Sequence, residues 1–186
     1  MEGIKTMLSK KMQDLLNDQI NFEFYSAYIY LSMAAYLQAN DLLGCAHWMR
    51  VQTQEELMHA MKMYDFVNDR SGRVVLKEIK GPKAEWASPL EAFEDALKHE
   101  QTVTGRINHM MDIAIEEKDH ATQIFLQWFI SEQVEEEASV GAVIQRLKLA
   151  GQSPGGMFMV DKELAQRIFT PPPQTSQAPL APPQKA

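Results

Sequence analysis

The chain has 186 residues, of which 45% are apolar, and carries 25 acidic against 18 basic residues, a formal charge of -7. This length supports one sizeable hydrophobic core and is too short for two ordinary domains. The acidic balance, without a cluster of Lys and Arg, argues against a nucleic-acid partner and favours cations. The single cysteine, Cys45, excludes an intrachain disulfide and a thiolate metal cage, and we expect it to be a small buried hydrophobe.

The N-terminal residues 1–11 lack the apolar run and the small-residue cleavage site of a signal peptide. No uninterrupted apolar stretch approaches the length that crosses a membrane. We therefore expect a protein with no membrane partner, working in the reducing cytoplasm.

Long segments without interior proline predict four α-helices, at residues 7–38, 43–71, 89–116 and 119–150. The third has the clearest start, because Ser88, Pro89 and Glu91 supply an N-cap, a proline at the first helical position and a capping-box glutamate. Gly72 and Gly151 stand where the second and fourth helices should end.

Short connections make the first two helices antiparallel neighbours, and likewise the last two. Residues 72–88 span about 60 Å when extended, enough to follow a thirty-residue helix of about 45 Å. These features predict an all-α four-helix bundle with one long crossover between helices two and three. Residues 161–169 predict a short fifth helix. We expect one domain over residues 1–169 and a disordered, Pro-rich tail over residues 170–186.

Polar side chains suited to metal binding lie near the middle of every predicted helix, namely Glu23, Glu56, Glu100, Gln133 and Glu136. Because the midpoints of antiparallel helices coincide, these side chains should meet at one level of the bundle. His59 lies three positions after Glu56, so the two share a helix face and can hold one metal ion. A buried carboxylate without a partner is costly, and a cation is its natural partner.

The two halves of the chain resemble a duplicated helix hairpin, since Glu23 and Glu56 are as far apart as Glu100 and Gln133. Glu-x-x-His in the second helix becomes Gln-x-x-Glu in the fourth, so one metal position should bind less tightly. Oxygen and imidazole ligands suit iron, and manganese or zinc also fit. The first position is expected to comprise Glu23, Glu56 and His59, with Glu56 bridging, and the second Glu100 with Gln133 or Glu136.

Four segments resemble the ligand-bearing helices of the bacterial and archaeal non-haem ferritins, namely NDQINFEFYSAYIYLSMAAY, HWMRVQTQEELMHAMKMYDF, FEDALKHEQTVT and FLQWFISEQVEEE. The resemblance extends over residues 7–169 and implies the ferritin-like fold. It implies a di-iron ferroxidase centre, oxidising Fe(II) to Fe(III) with O2 or H2O2, at Glu23, Glu56, His59, Glu100 and Gln133. Tyr30 matches the tyrosine beside that centre, as an electron or hydrogen-bond donor.

The resemblance also implies a third, weaker iron position on the cavity side, for which the matching acids are Glu55, Glu132, Glu135 and Glu136. It implies a homo-oligomeric shell of twenty-four subunits that stores a ferric mineral and serves iron homeostasis. Fe(II) and O2 or H2O2 would then be the partners of the chain.

Three alternatives compete with this interpretation. A haem-binding bacterioferritin would carry a second Glu-x-x-His and a methionine after the bridging glutamate, where this chain has Gln133-x-x-Glu136 and Leu57, so we do not expect haem there. A DNA-protecting mini-ferritin places its metals between subunits and lacks a fifth helix. A plain structural bundle would require the coincident ligand levels to be accidental. We expect core packing from Trp128, and surface or capping roles from the remaining histidines, His47, His99, His109 and His120.

Overall fold

The structure, a computed structural model, describes residues 7–151 and 155–171. The helices in these ranges are α1 Lys10–Ala39, α2 Leu43–Asp69, α3 Pro89–Glu116, α4 His120–Ala150 and α5 Gly156–Leu164. The predicted all-α bundle with a long crossover and a short fifth helix is confirmed. The first four helices lie within one turn of their predicted boundaries. The predicted tail lies outside the described residues except for its first two positions.

Three helices end on a left-handed residue that is not glycine. The φ angles are 60° at Asp41, 56° at Ser71 and 56° at Lys118. After each of these residues the chain returns hydrogen bonds to the last helical turn, as where the N–H of Gly72 lies 2.9 Å from the carbonyl oxygen of Val67. This pairing satisfies the free carbonyls of a helix end and turns the chain sharply. The α1–α2 and α3–α4 connections are therefore short, and each pair forms an antiparallel hairpin.

The start of α3 follows the predicted capping pattern with one change. The Ser88 hydroxyl accepts a hydrogen bond from the N–H of Glu91 at 3.1 Å. The Glu91 carboxylate accepts from the N–H of Ala87 at 2.6 Å, one residue before the N-cap. Both contacts satisfy backbone donors at the point where the crossover enters the helix.

The crossover, residues 70–88, lies along most of α1. Its backbone N–H and C=O groups form hydrogen bonds with polar side chains of that helix. These bonds satisfy backbone groups that have no partner within the crossover itself. In order along α1 the pairs are Gln13 with Arg73, Asn17 with Val75, Asn21 with Lys77 and Ser32 with Lys83. The crossover thus joins the two hairpins along the outside of the bundle and contributes one side chain, Trp86, to the apolar core.

The apolar core is divided into two clusters along the bundle axis. One cluster includes Met33, Trp48 and Phe93, and the other includes Leu16 and Ile107. Between them, each of the four long helices contributes buried polar side chains. The bundle therefore has a polar layer at mid-height, enclosed at both ends by apolar packing.

The two hairpins meet unequally. Helix α1 packs against α2, α3 packs against α4, and α1 also contacts α3. Within the described ranges no Cα atom of α2 lies within 8 Å of one in α4, and we call this junction the α2–α4 seam. Side chains fill it, with the His59 ring centre 5.5 Å from that of Trp128 and 5.8 Å from that of Phe129.

The fifth helix was predicted at residues 161–169, and that range is wrong, because α5 begins at Gly156 and ends at Leu164. Gly155, the first residue of the Gly155-Gly156 pair, has φ 77° and is the N-cap of α5, a position that glycine tolerates well. Helix α5 packs on α2 and α4. Asp161 Oδ1 accepts from the N–H of Cys45 at 2.8 Å, and Cys45 is buried as expected.

The described helices include none that combines the length and the apolar character needed to cross a bilayer.

Substituting Gly44 by alanine should loosen α5. A Cβ atom built on Gly44 would lie 1.7 Å from the carbonyl oxygen of Asp161, so α5 would have to move. We expect the free energy of unfolding to fall by about 1–3 kcal/mol, with faster hydrogen exchange in α5. Gly105→Ala is the control, since nothing lies within 4 Å of its Cβ, and it should gain about 0.5–1 kcal/mol. Equal melting temperatures for the two variants would contradict the docking described here.

Candidate metal centre

The polar layer contains the five side chains that were predicted to meet at one level, together with the predicted ligand His59: Glu23, Glu56, His59, Glu100, Gln133 and Glu136. Each is at most 4% exposed. One comes from α1, two from α2, one from α3 and two from α4. The bundle therefore brings four carboxylates, an amide and an imidazole together without solvent to support their charges.

Three of these residues form the tightest cluster. Glu23, Glu56 and His59 each offer a ligand atom, and the three atoms lie within 4.8 Å of one another. Among the described residues, Glu23 Oε2, Glu56 Oε2 and His59 Nε2 have no hydrogen-bond partner. Buried polar atoms without partners carry the full cost of lost hydration. Two carboxylate oxygens and an imidazole nitrogen are a donor set that fits iron, and the same set accepts manganese or zinc.

Glu100 is held differently. The Tyr30 hydroxyl donates to its Oε1, and the Gln133 amide donates to its Oε2 at 3.1 Å. Tyr30 and Gln133 therefore both contact Glu100, one of the candidate ligands. A metal ion approaching Glu100 would share or replace these two hydrogen bonds, whereas the Glu23–Glu56–His59 cluster presents unpaired atoms.

Burial makes these carboxyl groups weak acids. Burial, then the negative charge of Glu56, raises the pKa of Glu23 to about 8. Burial, then the charge of Glu100, raises the pKa of Glu136 to about 7, and burial also raises the pKa values of Glu56 and Glu100. Near neutral pH the cluster thus retains protons, and a bound cation would displace them.

Two glutamines that the sequence analysis missed orient the carboxylates. Gln19 Nε2 donates to Glu23 Oε1 at 2.8 Å. Gln52 Nε2 donates to Glu136 Oε2 at 2.7 Å and to Glu56 Oε1 at 3.3 Å. Each glutamine precedes a carboxylate by four positions on its own helix, so the spacing was a usable signal.

Each glutamine is in turn held by an arginine. Arg106 Nε donates to Gln19 Oε1 at 2.6 Å, and Arg167 donates to Gln52 Oε1 at 2.8 Å. Because arginine can only donate, it fixes the amide oxygen on its own side and turns the amide NH2 towards the carboxylate. These arginines lie on α3 and beyond α5, so nothing local in the sequence indicated them. Such outer contacts usually set the orientation and affinity of metal ligands.

The expected third iron position is only partly assembled. His59, Glu132 and Glu136 form a second cluster, with ligand atoms within 4.8 Å of one another. Glu55 lies outside that cluster and is engaged in an ion pair, and Glu135 is exposed and also outside it. The structure therefore brings together two of the four predicted acids, and both sit against the imidazole of the first cluster.

His99 was predicted to be a surface or capping residue, and that prediction is wrong. Its ring stacks on Phe22, with ring centres 5.1 Å apart, and its Nε2 lies 2.7 Å from the Ser26 hydroxyl oxygen. Burial lowers the pKa of His99 to about 4, and nearby Arg106 acts in the same direction. His99 lies on the side of α3 that faces α1, so it packs beside the metal centre as a neutral ring.

Comparisons with known proteins agree with this architecture. The model of the ferritin-like domain matches residues 13–150. The bacterial non-heme ferritin of Staphylococcus saprophyticus is 44% identical over 163 residues, 88% of this chain and 98% of that protein. The counterpart from Bacteroides fragilis is 42% identical over 161 residues, 87% of this chain and all of that protein.

Solved structures extend the likeness to three dimensions. A closed form of the Archaeoglobus fulgidus ferritin, engineered by site-directed mutagenesis, superposes with a TM-score of 0.86 at 53% identity. That match covers 88% of this chain and 99% of the archaeal one. The open-pore ferritin of the same archaeon gives a TM-score of 0.85 at 53% identity, covering 87% of this chain and 99% of that one. With the fold, the sequence and the family model in agreement, the chain belongs to the ferritin family.

Proposed function

We propose that the chain is an iron-storage ferritin subunit that oxidises Fe(II) at a two-metal centre in its polar layer. The observation that supports this most is the convergence of Glu23, Glu56 and His59, three buried residues that each have one atom without a hydrogen-bond partner. Glu56 and Glu23 come from different helices, so one cation would satisfy atoms that packing leaves without partners. Family membership supports iron as the metal that this donor set receives.

In this proposal the first Fe(II) binds to Glu23, Glu56 and His59, and the second binds to Glu100 with Gln133 or Glu136, while Glu56 bridges the two. Two Fe(II) ions supply two electrons, which reduce O2 to hydrogen peroxide or hydrogen peroxide to water. Because both ions are held beside one oxidant molecule, both electrons can reach it without a second Fe(II) having to diffuse in. Tyr30 stands next to the second position, where its hydroxyl donates to Glu100.

The same geometry supports onward movement of the product. Gln133 brings no charge where its counterpart in the other hairpin, Glu56, brings a carboxylate, so the second position holds Fe(III) less tightly. His59, Glu132 and Glu136 form the adjoining acidic cluster through which iron would leave. A permanent cofactor would require two tight positions, whereas a substrate must depart.

We further propose that copies of the chain form the twenty-four-subunit shell expected of the family and store ferric mineral within it, in the cytoplasm. The likeness to A. fulgidus ferritins described by their open pore or closed form supports a shell. Residues 1–169 would form the ferritin-like domain of each subunit, and the tail from residue 170 would lie outside it.

The direct test adds Fe(II) aerobically to the full chain and follows ferric absorbance by stopped flow, with the particle sized in parallel. We expect a fast phase that saturates at two Fe(II) per subunit, followed by slower mineral growth inside a large shell. Oxidation no faster than in buffer, from a particle of any size, would contradict the proposed centre.

Replacing Gln133 by glutamate should slow the release of iron from the centre. The added carboxylate would give the second position the anionic ligand that it lacks, and the hydrogen bond to Glu100 would be lost. We expect iron to stay longer at the centre after one turnover and the second turnover to slow, as seen by sequential additions of Fe(II). Unchanged iron occupancy and unchanged turnover would show that Gln133 does not weaken the second metal position.

A further inference from the structure

Arg167 follows α5 and is anchored on α2 at several points. Its carbonyl oxygen accepts a hydrogen bond from His47 Nε2 at 2.8 Å. Its guanidinium carbon lies 4.0 Å from the centre of the Trp48 ring, and one of its nitrogens lies 3.4 Å from the Trp48 carbonyl oxygen. The side chain is only 18% exposed. Backbone, stacking and hydrogen bonds thus fix the guanidinium in one place.

From that position the guanidinium reaches two acidic neighbourhoods. One nitrogen donates to Gln52 Oε1, and the Gln52 amide donates to Glu136 and Glu56. The other nitrogen forms an ion pair with the Glu55 carboxylate, which is itself only 16% exposed. Arg167 therefore touches the support of the metal centre and one of the acids expected at the third iron position.

The pairing with Glu55 has a direct electrostatic meaning. A cation could enter beside His59, Glu132 and Glu136. The nearby carboxylate of Glu55, also expected at this position, is already paired with the positive charge of Arg167. To recruit Glu55, that cation would have to displace a largely buried guanidinium, which is stacked and hydrogen-bonded as well as ion-paired. Ion pairs at this depth are costly to break, unlike exposed pairs.

We propose that Arg167 is a positioning residue of the third iron position, acting as a tethered cation that withholds Glu55 from incoming iron and so lowers the affinity there. This inference rests on the proposed function of the centre. By keeping Glu55 occupied, Arg167 leaves the third position with fewer anionic ligands and holds its affinity low. Iron that leaves the di-iron centre then passes this position on its way to the cavity without being trapped.

The test uses Zn²⁺, which does not change oxidation state, in calorimetric titrations of the metal-free full chain. The wild type should bind two Zn²⁺ per subunit tightly and a third weakly. In Arg167→Gln the third ion should bind about tenfold more tightly. The first two should bind somewhat more weakly, because Gln52 loses the contact that orients it towards Glu56 and Glu136. Arg167→Lys keeps the positive charge near Glu55 but loses the stacking and the forked contacts, so it should fall between the wild type and Arg167→Gln. Trp48, no longer covered by the guanidinium, should also change its fluorescence in Arg167→Gln.

Two further variants make the test specific. Arg146→Gln removes another ion pair at α5, with Glu163, and should leave all three affinities unchanged. Glu55→Gln should hardly alter third-site binding in the wild type, and it should remove the gain in the Arg167→Gln background. An equal effect of Glu55→Gln in both backgrounds would overturn the proposal. So would a third ion that bound no more tightly in Arg167→Gln than in the wild type. Failure of the wild type to bind two Zn²⁺ would instead refute the centre itself.

Discussion

Substituting Glu56 by glutamine should abolish paired metal binding and at the same time stabilise the metal-free protein. Glu56 is 1% exposed, lies between the two proposed iron positions, and has an oxygen without a hydrogen-bond partner. Removing the bridging ligand should lower the initial rate of Fe(II) oxidation by about a hundredfold or more, since loss of outer-shell partners alone typically costs 10–100-fold. Stopped-flow absorbance and anaerobic Fe(II) titration measure the two losses.

The gain in stability follows from the same burial. Burial, then the charges of Glu100 and Glu136, raises the pKa of Glu56 and makes its ionised form costly. A neutral amide of the same size removes that cost and adds a donor, so the free energy of unfolding should rise by about 1–3 kcal/mol. Glu116→Gln, at a surface carboxylate, should change neither quantity. A variant that oxidised Fe(II) normally, or lost activity by unfolding, would contradict this prediction.

Raising the pH from about 6.5 to about 8 should destabilise the metal-free protein. The pKa of Glu23 is raised from 4.5 to about 8, and burial likewise raises that of Glu136 to about 7. In this window the folded chain holds protons that the unfolded chain has lost, so the free energy of unfolding falls as pH rises. The slope is about 1.4 kcal/mol per pH unit for each such proton. Thermal unfolding at constant ionic strength measures it.

The lower limit of that window is set by His99. Its pKa is lowered from 6.5 to about 4, so it makes the folded state more stable as pH rises through that range, opposing the carboxyl groups. Above pH 6.5 this contribution is constant. Glu23→Gln should flatten the slope, and saturating Zn²⁺ should remove or reverse it, because the metal displaces the protons. A metal-free wild type that gained stability from pH 6.5 to 8 would show that the carboxyl groups are not buried as described.

Much of the fold was predictable because local chemistry determines it. Ser88 and Pro89 specify the start of α3 through backbone capping, and α3 begins at Pro89 as predicted. The crossover was predicted from the length of the connecting segment alone. Its hydrogen bonds to polar side chains of α1 confirm that it runs along that helix. The error at α5 arose because a glycine pair is equally suited to a linker and to a helix N-cap.

The residues of the metal centre were predictable for a different reason. Glu23, Glu56 and Glu100 sit at helix midpoints, so the geometry of an antiparallel bundle brings them to one level without detailed knowledge of packing. Arg106 and Arg167 act across distances that only the folded chain creates, and no spacing along one helix reveals them. Glu55 shows the same limit, since its partner is more than a hundred positions away.

The α2–α4 seam gives the bundle one side whose width is set by side chains rather than by helix backbones in contact. Each hairpin keeps its own tight packing, so a small change in the separation of α2 and α4 leaves both hairpins intact. His59 and Glu56 lie on the α2 side of the seam and Gln133 and Glu136 on the α4 side, so an ion bound as proposed would meet a gap that can adjust to its radius. If the proposed function holds, metal could enter or leave through a small widening of this seam, with no helix needing to unwind.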